Sequence, residues 1–464
     1  TIWIYRPPEK NARVLSREIG QSIEFSQILI NRGITTEDSA HRFLYGTLDD
    51  LLDPFLMTGM REAVDRLLQA IDQKEKVIIF GDYDVDGILS VVILSKALAY
   101  FGVDVSYFIP ERLKKGYGIK EEYLEIVLER KASLVISVDC GMRAVAFASR
   151  AKEMGIDVII TDHHQPGSEL PDALAVLNPV LSSANYPDKL LAGVGVVFKL
   201  IQGLFQKKGK EALLPHYLKL VSIATISDVV GLRGENRLFV KFGLKGLEEA
   251  VNPGLVSLLE SCGLRNRPVT VGDVGFRMGP RINAAGRLGM TDLAIQLFFV
   301  RSREEANNLA KKLNKLNSKR QKIEEGINRQ AMDQIKRNSL DQKYRFLILG
   351  SEEWHRGVIG IVASKIKDAF YRPVILFAYE NGKAFGSGRS IPEFSLIDCL
   401  SESKEYLVNY GGHILAIGCE LSLDKMNAFK EAVNSYALSR LTDDVLRRRI
   451  KIDSKIDFNR INFS

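Results

Sequence analysis

Cysteine is scarce, with only four in 464 residues. Cys140, Cys262, Cys399 and Cys419 are scattered and no pair has metal-ligand spacing, which excludes a disulfide-stapled scaffold and a thiolate metal cluster. Reduced thiols in a cytoplasmic protein are the simplest expectation. No apolar run approaches the roughly 20 residues of a membrane helix, so no membrane association is expected. The opening residues Thr1 to Pro8 lack the charged, apolar and small-residue zones of a signal peptide. Internal repeats and low-complexity tracts are also missing. What is present is globular: 46% hydrophobic and 26% charged, in a chain long enough to require at least two cores. Net charge is only +7, which suits a polyanionic partner without demanding one. The basic excess grows if the aspartates described below are neutralised by metal.

Residues 1–75 read as a helical segment packing on the domain that follows, with helical spacing of apolar residues over 22–43 and 60–71. From Lys76 the pattern changes. Val77–Phe80, Val105–Ile109, Leu134–Val138 and Val158–Thr161 read as buried strands, joined by helices near 87–101, 120–130 and 143–154. Such alternation predicts an α/β fold with a parallel sheet covered on both faces, in a first domain of residues 76–300 that becomes more helical after Ala192. Residues 301–340 are expected to form a long connecting helix. Ser302 and Glu305 would make a capping box at its start, and Gly326 is its weak point. A smaller α/β domain follows at 341–440, and then a C-terminal extension, 441–464, containing the basic run Arg447-Arg448-Arg449-Ile450-Lys451.

Three predicted strands end in ligand-type side chains: Asp82-Tyr83-Asp84-Val85-Asp86-Gly87, Asp139-Cys140-Gly141 and Asp162-His163-His164. Any one alone reads as a helix cap or a turn. Together they would meet at the carboxyl edge of one sheet, where α/β folds bind ligands. Asp228 adds a fourth segment after the apolar run Leu218–Ile226, where an unpaired carboxylate is costly to bury. Carboxylates gathered at one point repel, and some must stay protonated unless cations neutralise them. The oxygen-rich set with imidazole points to two divalent cations, Mn²⁺ better matched than Mg²⁺, and the missing thiolates argue against zinc.

These four segments resemble motifs I to IV of the DHH phosphoesterase superfamily. Lys115-Gly116-Tyr117-Gly118, Gly193-Val194-Gly195, Glu235-Asn236-Arg237, the stretch Gly279-Pro280-Arg281-Ile282-Asn283-Ala284-Ala285-Gly286-Arg287 and Gly411-Gly412-His413 are similar to segments of the RecJ family of single-strand-specific exonucleases within it. The resemblance runs in order along almost the whole chain. It implies a DHH domain joined by the long helix to a DHHA1 domain. It also implies one ion held by Asp84 and Asp139 with Asp82, and a second held by Asp86, His163 and Asp228, with Asp139 bridging. His164 would be the catalytic histidine at the scissile phosphate, and Asp162 would orient its neighbours. The implied activity is metal-dependent 5′-to-3′ hydrolysis of single-stranded DNA in repair and recombination, DNA being expected over RNA. A helicase or a single-strand-binding protein would be a partner. RecJ-like chains commonly continue into an oligonucleotide-binding barrel, so either 441–464 is the start of such a barrel or the barrel is absent.

Gly386-Ser387-Gly388-Arg389-Ser390 reads as a flexible backbone nest for phosphate, and the resemblance implies that Ser387 and Arg389 hold the nucleotide end. Arg112 is expected to grip a 5′-phosphate. Arg281 and Arg287 are expected on the strand backbone, with a surface ion pair as the ordinary alternative for each. His413 is grouped with these substrate-binding residues. Two other readings stay open: a DHH phosphodiesterase acting on short oligoribonucleotides, and a non-catalytic nucleic-acid clamp serving as a replication scaffold. The residue 1–75 segment and the Gly-Pro-Arg stretch weigh against the first, and the intact motifs against the second.

Overall fold

The computed structural model describes residues 1–7, 9–110 and 118–461, apart from the Arg460 side chain. Two compact units emerge: His41–Asn317, and Thr1–Ala40 together with Ser318–Ser464. Strand β1 (Ile2–Tyr5) belongs to the latter and is taken up there.

The His41–Asn317 unit is built on β2 (Lys76–Gly81), β3 (Asp104–Phe108), β4 (Leu134–Val138), β5 (Asp157–Thr161) and β6 (Ala175–Leu177). All neighbours pair parallel, in the order β3-β2-β4-β5-β6. Its central strands are apolar on both faces because both are covered. Val77, Ile79, Leu134, Ile136 and Ile159 enter one core, while Ile78, Phe80, Val135, Val158 and Ile160 enter another. Helices Val85–Tyr100 and Gly193–Lys208 are buried along most of their length and belong to the first of these cores. The short strand β6 has no counterpart among the expected elements, since three residues carry too little pattern to register.

In the second unit β7 (Leu347–Ser351), β8 (Val374–Glu380), β9 (Lys383–Arg389), β10 (Asn409–Gly412) and β11 (Ala416–Ser422) lie in the order β10-β11-β9-β8-β7. Only β7 and β8 pair parallel. A separate parallel ladder joins β1 to β12 (Arg449–Ile452), with Ile2 opposite Arg449 and Tyr5 opposite Ile452. The Asn31 amide also donates to the Asp453 backbone carbonyl at 3.0 Å. These contacts place Thr1–Ala40 with the C-terminal unit, whereas the sequence reading grouped it with 41–75 and packed it on the first domain. The helical pattern over 22–43 is divided into Ile23–Asn31 and Glu37–Tyr45, with Gly33 between them at φ 79°.

One helix of 35 residues, Arg303–Arg337, passes from the first unit into the second. At 1.5 Å per residue it is about 50 Å long. Leu309, Ala310 and Leu313 enter the core of the first unit, and Ile327, Ala331 and Ile335 a core of the second. Ser302 Oγ accepts from the Glu305 backbone N–H at 3.4 Å. Gly326 does not interrupt it, and open space surrounds that position. No helix among the described residues is long and apolar enough to cross a membrane.

Candidate metal centre

Because β2, β4 and β5 are neighbours in a parallel sheet, their carboxyl ends deliver Asp82, Asp139 and Asp162-His163-His164 to one edge. After β2 the chain turns at once into helix Val85–Tyr100. Asp84 is its N-cap and accepts from the backbone N–H groups of Asp86 at 2.9 Å and Gly87 at 3.2 Å. Gly87 is forced, since a Cβ there would sit 2.4 Å from the Asp82 carbonyl oxygen. Asp86 is buried and directed at the start of helix Gly193–Lys208, accepting from Gly193 N–H at 2.7 Å and Val194 N–H at 2.8 Å. A helix N-terminus is a fitting anchor for a carboxylate.

Asp139 stands in the left-handed backbone region at φ 58°. Its backbone N–H donates to the Thr161 carbonyl at 2.9 Å, so β5 holds the turn. Gly193 lets the helix approach, because a Cβ there would lie 2.6 Å from Asp139 Oδ1. His163 Nε2 faces three carboxylates: Asp139 Oδ1 at 3.2 Å, Asp228 Oδ2 at 3.7 Å and Asp86 Oδ2 at 3.9 Å. Asp228 arrives from the C-terminus of helix Leu218–Ser227.

Asp162 takes a different role from its neighbours. It is buried and accepts from the backbone N–H groups of Met142, His163 and His164, and from His164 Nδ1 at 2.7 Å. Burial pushes its pKa up, but the His164 hydrogen bond and charge prevail and hold it below the usual carboxylate value. Reciprocally, burial favours neutral His164, yet Asp162 outweighs it and raises the imidazole pKa. The Nδ1 contact with Asp162 fixes the orientation of the His164 ring.

The remaining carboxylates are not settled. Burial, then repulsion from Asp84, raises Asp86 to about 7, and burial with the charges of Asp86, Asp84 and Asp82 raises Asp228 to about 9. Asp139 is pushed well above its ordinary value by burial and by Asp86 and Asp84. Asp139 Oδ1 and Asp228 Oδ2 are buried with no hydrogen-bond partner among the described residues. Three ligand-type groupings, each with donor atoms within 4.8 Å of one another, overlap here: Asp82/Asp84/Asp139, Asp86/His163/Asp228 and Asp139/His163/His164. Buried acceptor oxygens without donors, beside an imidazole, form a donor set that fits hard divalent cations.

The Gly-Pro-Arg stretch buttresses this edge through residues that sequence reasoning missed. Asn283 Oδ1 accepts from the Val85 N–H at 3.2 Å, and a Cβ on Gly286 would lie 2.0 Å from the Tyr83 carbonyl oxygen. Here the glycine is needed for close approach to the acidic loop. Arg281 is engaged locally, donating to Asn314 Oδ1 at 3.0 Å and the Arg277 carbonyl at 2.6 Å, and Arg287 is half-buried at the helix end. A second missed feature is the buried set Lys199, Glu235 and Tyr186. Lys199 Nζ lies 2.7 Å from Glu235 Oε1, and the Tyr186 hydroxyl donates to Glu235 Oε2. It ties helix Gly193–Lys208, and hence the anchor of Asp86, to helix Gly234–Leu247. The Glu-Asn-Arg motif was its only signal.

In the other unit the segment expected to be a flexible nest is strand β9. Its backbone is committed to ladders with β8 and β11, so it cannot cup a phosphate. Gly386 and Gly388 are there for packing: a Cβ would lie 2.5 Å from Cys419 Sγ or 2.7 Å from the Ile417 side chain, respectively. Ser387 and Arg389 alternate with them and stand beside the start of helix Ile359–Phe370, where a Cβ on Gly360 would be 2.8 Å from Ser387 Oγ and 3.3 Å from Arg389 Nη2. His413 is exposed in the β10–β11 turn, and Ala416 on β11 is opposite Arg389. Arg112 lies outside the described residues.

A parallel sheet ending in an Asp/His cluster, followed by a second mixed sheet, is the architecture of a DHH phosphoesterase. The DHH family N-terminal domain matches residues 76–225 and the DHHA1 domain matches 342–439. The single-stranded-DNA-specific exonuclease RecJ of Bacillus subtilis is 40% identical over 95% of this chain and 56% of its own length. RecJ of Dickeya dadantii is 36% identical over 87% of this chain and 73% of its own length. The crystal structure of Thermus thermophilus RecJ in complex with Mn²⁺ superimposes with a TM-score of 0.84 at 33% identity, covering 97% of this chain and 64% of that one. This chain belongs to the RecJ family. It spans little more than half the length of the Bacillus subtilis relative.

Proposed function

We propose that this chain carries the hydrolytic centre of a metal-dependent 5′-to-3′ exonuclease acting on single-stranded DNA. Family membership supports the reading, and one observation carries it: Asp139 Oδ1 and Asp228 Oδ2 are buried acceptors without donors, amid carboxylates whose pKa values are pushed up. Asp84 and Asp139, with Asp82, would hold one cation. Asp86, His163 and Asp228 would hold the other, with Asp139 shared. Two bound divalent cations supply Lewis acidity that activates water and offsets charge on the phosphoryl group. The single imidazole favours Mn²⁺, with Mg²⁺ as the alternative.

The protein's own part is positioning. Asp86 is fixed by two backbone donors and so holds its oxygens at a set place. His164, oriented by Asp162, would present Nε2 to a phosphoryl oxygen and offset its charge. Ser387 and Arg389, at a helix start, would take a further phosphate, and His413 is proposed to touch substrate. Arg112 is proposed to grip the 5′-phosphate and Arg287 to touch the strand backbone, and Arg281 joins Arg287 only by exchanging its bond to Asn314. The proposed setting is cytoplasmic DNA repair and recombination, beside a helicase or single-strand-binding protein.

The test is degradation of a 5′-phosphorylated single strand with Mn²⁺, alongside a dinucleotide and an RNA strand. Asp139→Asn is expected to lose at least about a hundredfold in kcat, since even outer partners of metal ligands matter by 10–100-fold. Full activity in that variant would sink the two-metal reading. Preference for the dinucleotide would move the substrate to short oligonucleotides.

A further inference from the structure

Phe276 is 86% exposed, yet its carrier is rigid. It lies in the single π-helical turn Val274–Met278, whose ends Val274 and Met278 are fully buried in the core. π-Turns inside helices are often functional, since the extra residue redirects a side chain. Here the turn lies along the last residues of the helix that ends in Asp228. A Cβ on Gly279 would sit 2.7 Å from Ser227 Oγ, and one on Gly275 would sit 3.9 Å from Ile226 Cγ2. Val229, next after Asp228, is equally exposed at 86% and is held at φ 62°, a backbone conformation unusual for a β-branched residue. Two large apolar side chains are thus kept in water, Val229 next to Asp228 in the chain and Phe276 on a turn packed against the helix that ends there.

The neighbourhood is cationic with one counter-charge. Arg267 and Arg277 both lie against Asp273, at 2.7 Å and 3.5 Å, and both are over 40% exposed. An exposed aromatic on a turn that also carries exposed guanidinium groups is what a single strand uses: the ring takes a base and the cations take phosphates. A duplex offers no free base face at that position. We propose that Phe276 is a stacking platform for a nucleobase of the bound single strand, with Val229 beside Asp228 as an apolar rim. Phe276 is therefore a positioning and selectivity residue, which rests on the nuclease reading for its substrate class.

The experiment is fluorescence anisotropy of a 5′-phosphorylated oligothymidylate without divalent metal, against the same strand made abasic throughout. Phe276→Ala is expected to weaken binding of the base-bearing strand by about 5- to 100-fold, the size of one base–aromatic stack. It should leave the abasic strand unaffected, and Phe276→Trp should restore binding. Unchanged binding in Phe276→Ala, or an equal loss on the abasic strand, would overturn the proposal. Hydrolysis of the same strand with Mn²⁺ separates the two readings. A wild type that binds through Phe276 but does not cleave removes the nuclease and keeps the platform, and cleavage with unaltered binding in Phe276→Ala does the reverse.

Discussion

The two five-stranded sheets place chemistry in opposite ways. In the parallel sheet the chain leaves every central strand at the same edge, so Asp82, Asp139 and Asp162-His163-His164 collect in loops beyond the strands. In the mixed sheet Ser387 and Arg389 sit within β9 itself, alternating with glycines that let neighbouring side chains close in. The first arrangement concentrates negative charge and leaves buried oxygens unmatched. The second offers a hydroxyl and a guanidinium beside a helix start. Loops at a parallel edge can accumulate electrostatic tension that an added cation relieves, whereas the strand-borne pair already has local hydrogen bonds.

The largest test of that contrast is removal of metal. With Asp86 raised to about 7 and Asp228 to about 9, the folded chain binds protons more tightly than the unfolded one. This contribution is fully present below the ordinary carboxylate value and is lost as pH climbs through the raised values. Metal-free protein should therefore melt lower at pH 9 than at pH 5, by on the order of 5 °C, and Mn²⁺ should cancel the difference. Asp228→Asn should flatten the slope in calorimetry. A metal-free Tm that rises over that range would contradict the tension described.

A smaller effect is expected where charge is already satisfied. Asp162→Asn should keep the fold and lower kcat by about 10- to 100-fold, with the alkaline limb of the pH profile shifting downward as His164, needed as the imidazolium, loses the partner that raises its pKa. An unshifted profile would mean that Asp162 serves the loop backbone alone. The smallest change belongs to the other sheet: Arg389→Lys should weaken discrimination between 5′-phosphorylated and 5′-hydroxyl strands by about tenfold, the worth of a charge-assisted bond, in KM and not in kcat. Equal KM values for the two strands in the unaltered protein would remove phosphate from that site.

Much of the parallel sheet was legible because its strands are short apolar runs ending in charged residues, a pattern that needs no distant information. The meeting of the Asp82–Asp86, Asp139 and His163 segments followed from three strand ends at one edge, whereas Asp228, on a helix end, and the full ligand set came with the family resemblance. What escaped depended on who stands opposite. Gly-Ser-Gly-Arg looked like a turn because glycine is ambiguous until Cys419 and Ile417 are known to crowd it. Arg281 and Arg287 drew notice by charge, while the support came from Asn283 and Gly286, a carbonyl and an absent Cβ that carry no compositional signal. The Thr1–Ala40 segment was misjudged for the same reason, since its partner strand lies near the other end of the numbering.

That ladder between β1 and β12 has a bearing on biosynthesis. Ile2–Tyr5 is made long before Arg449–Ile452 exists, so its backbone must wait without its ladder partner while both sheets assemble. A polypeptide stopped at residue 439, where the DHHA1 match ends, would leave β1 without its mate and an adhesive strand edge open to other molecules.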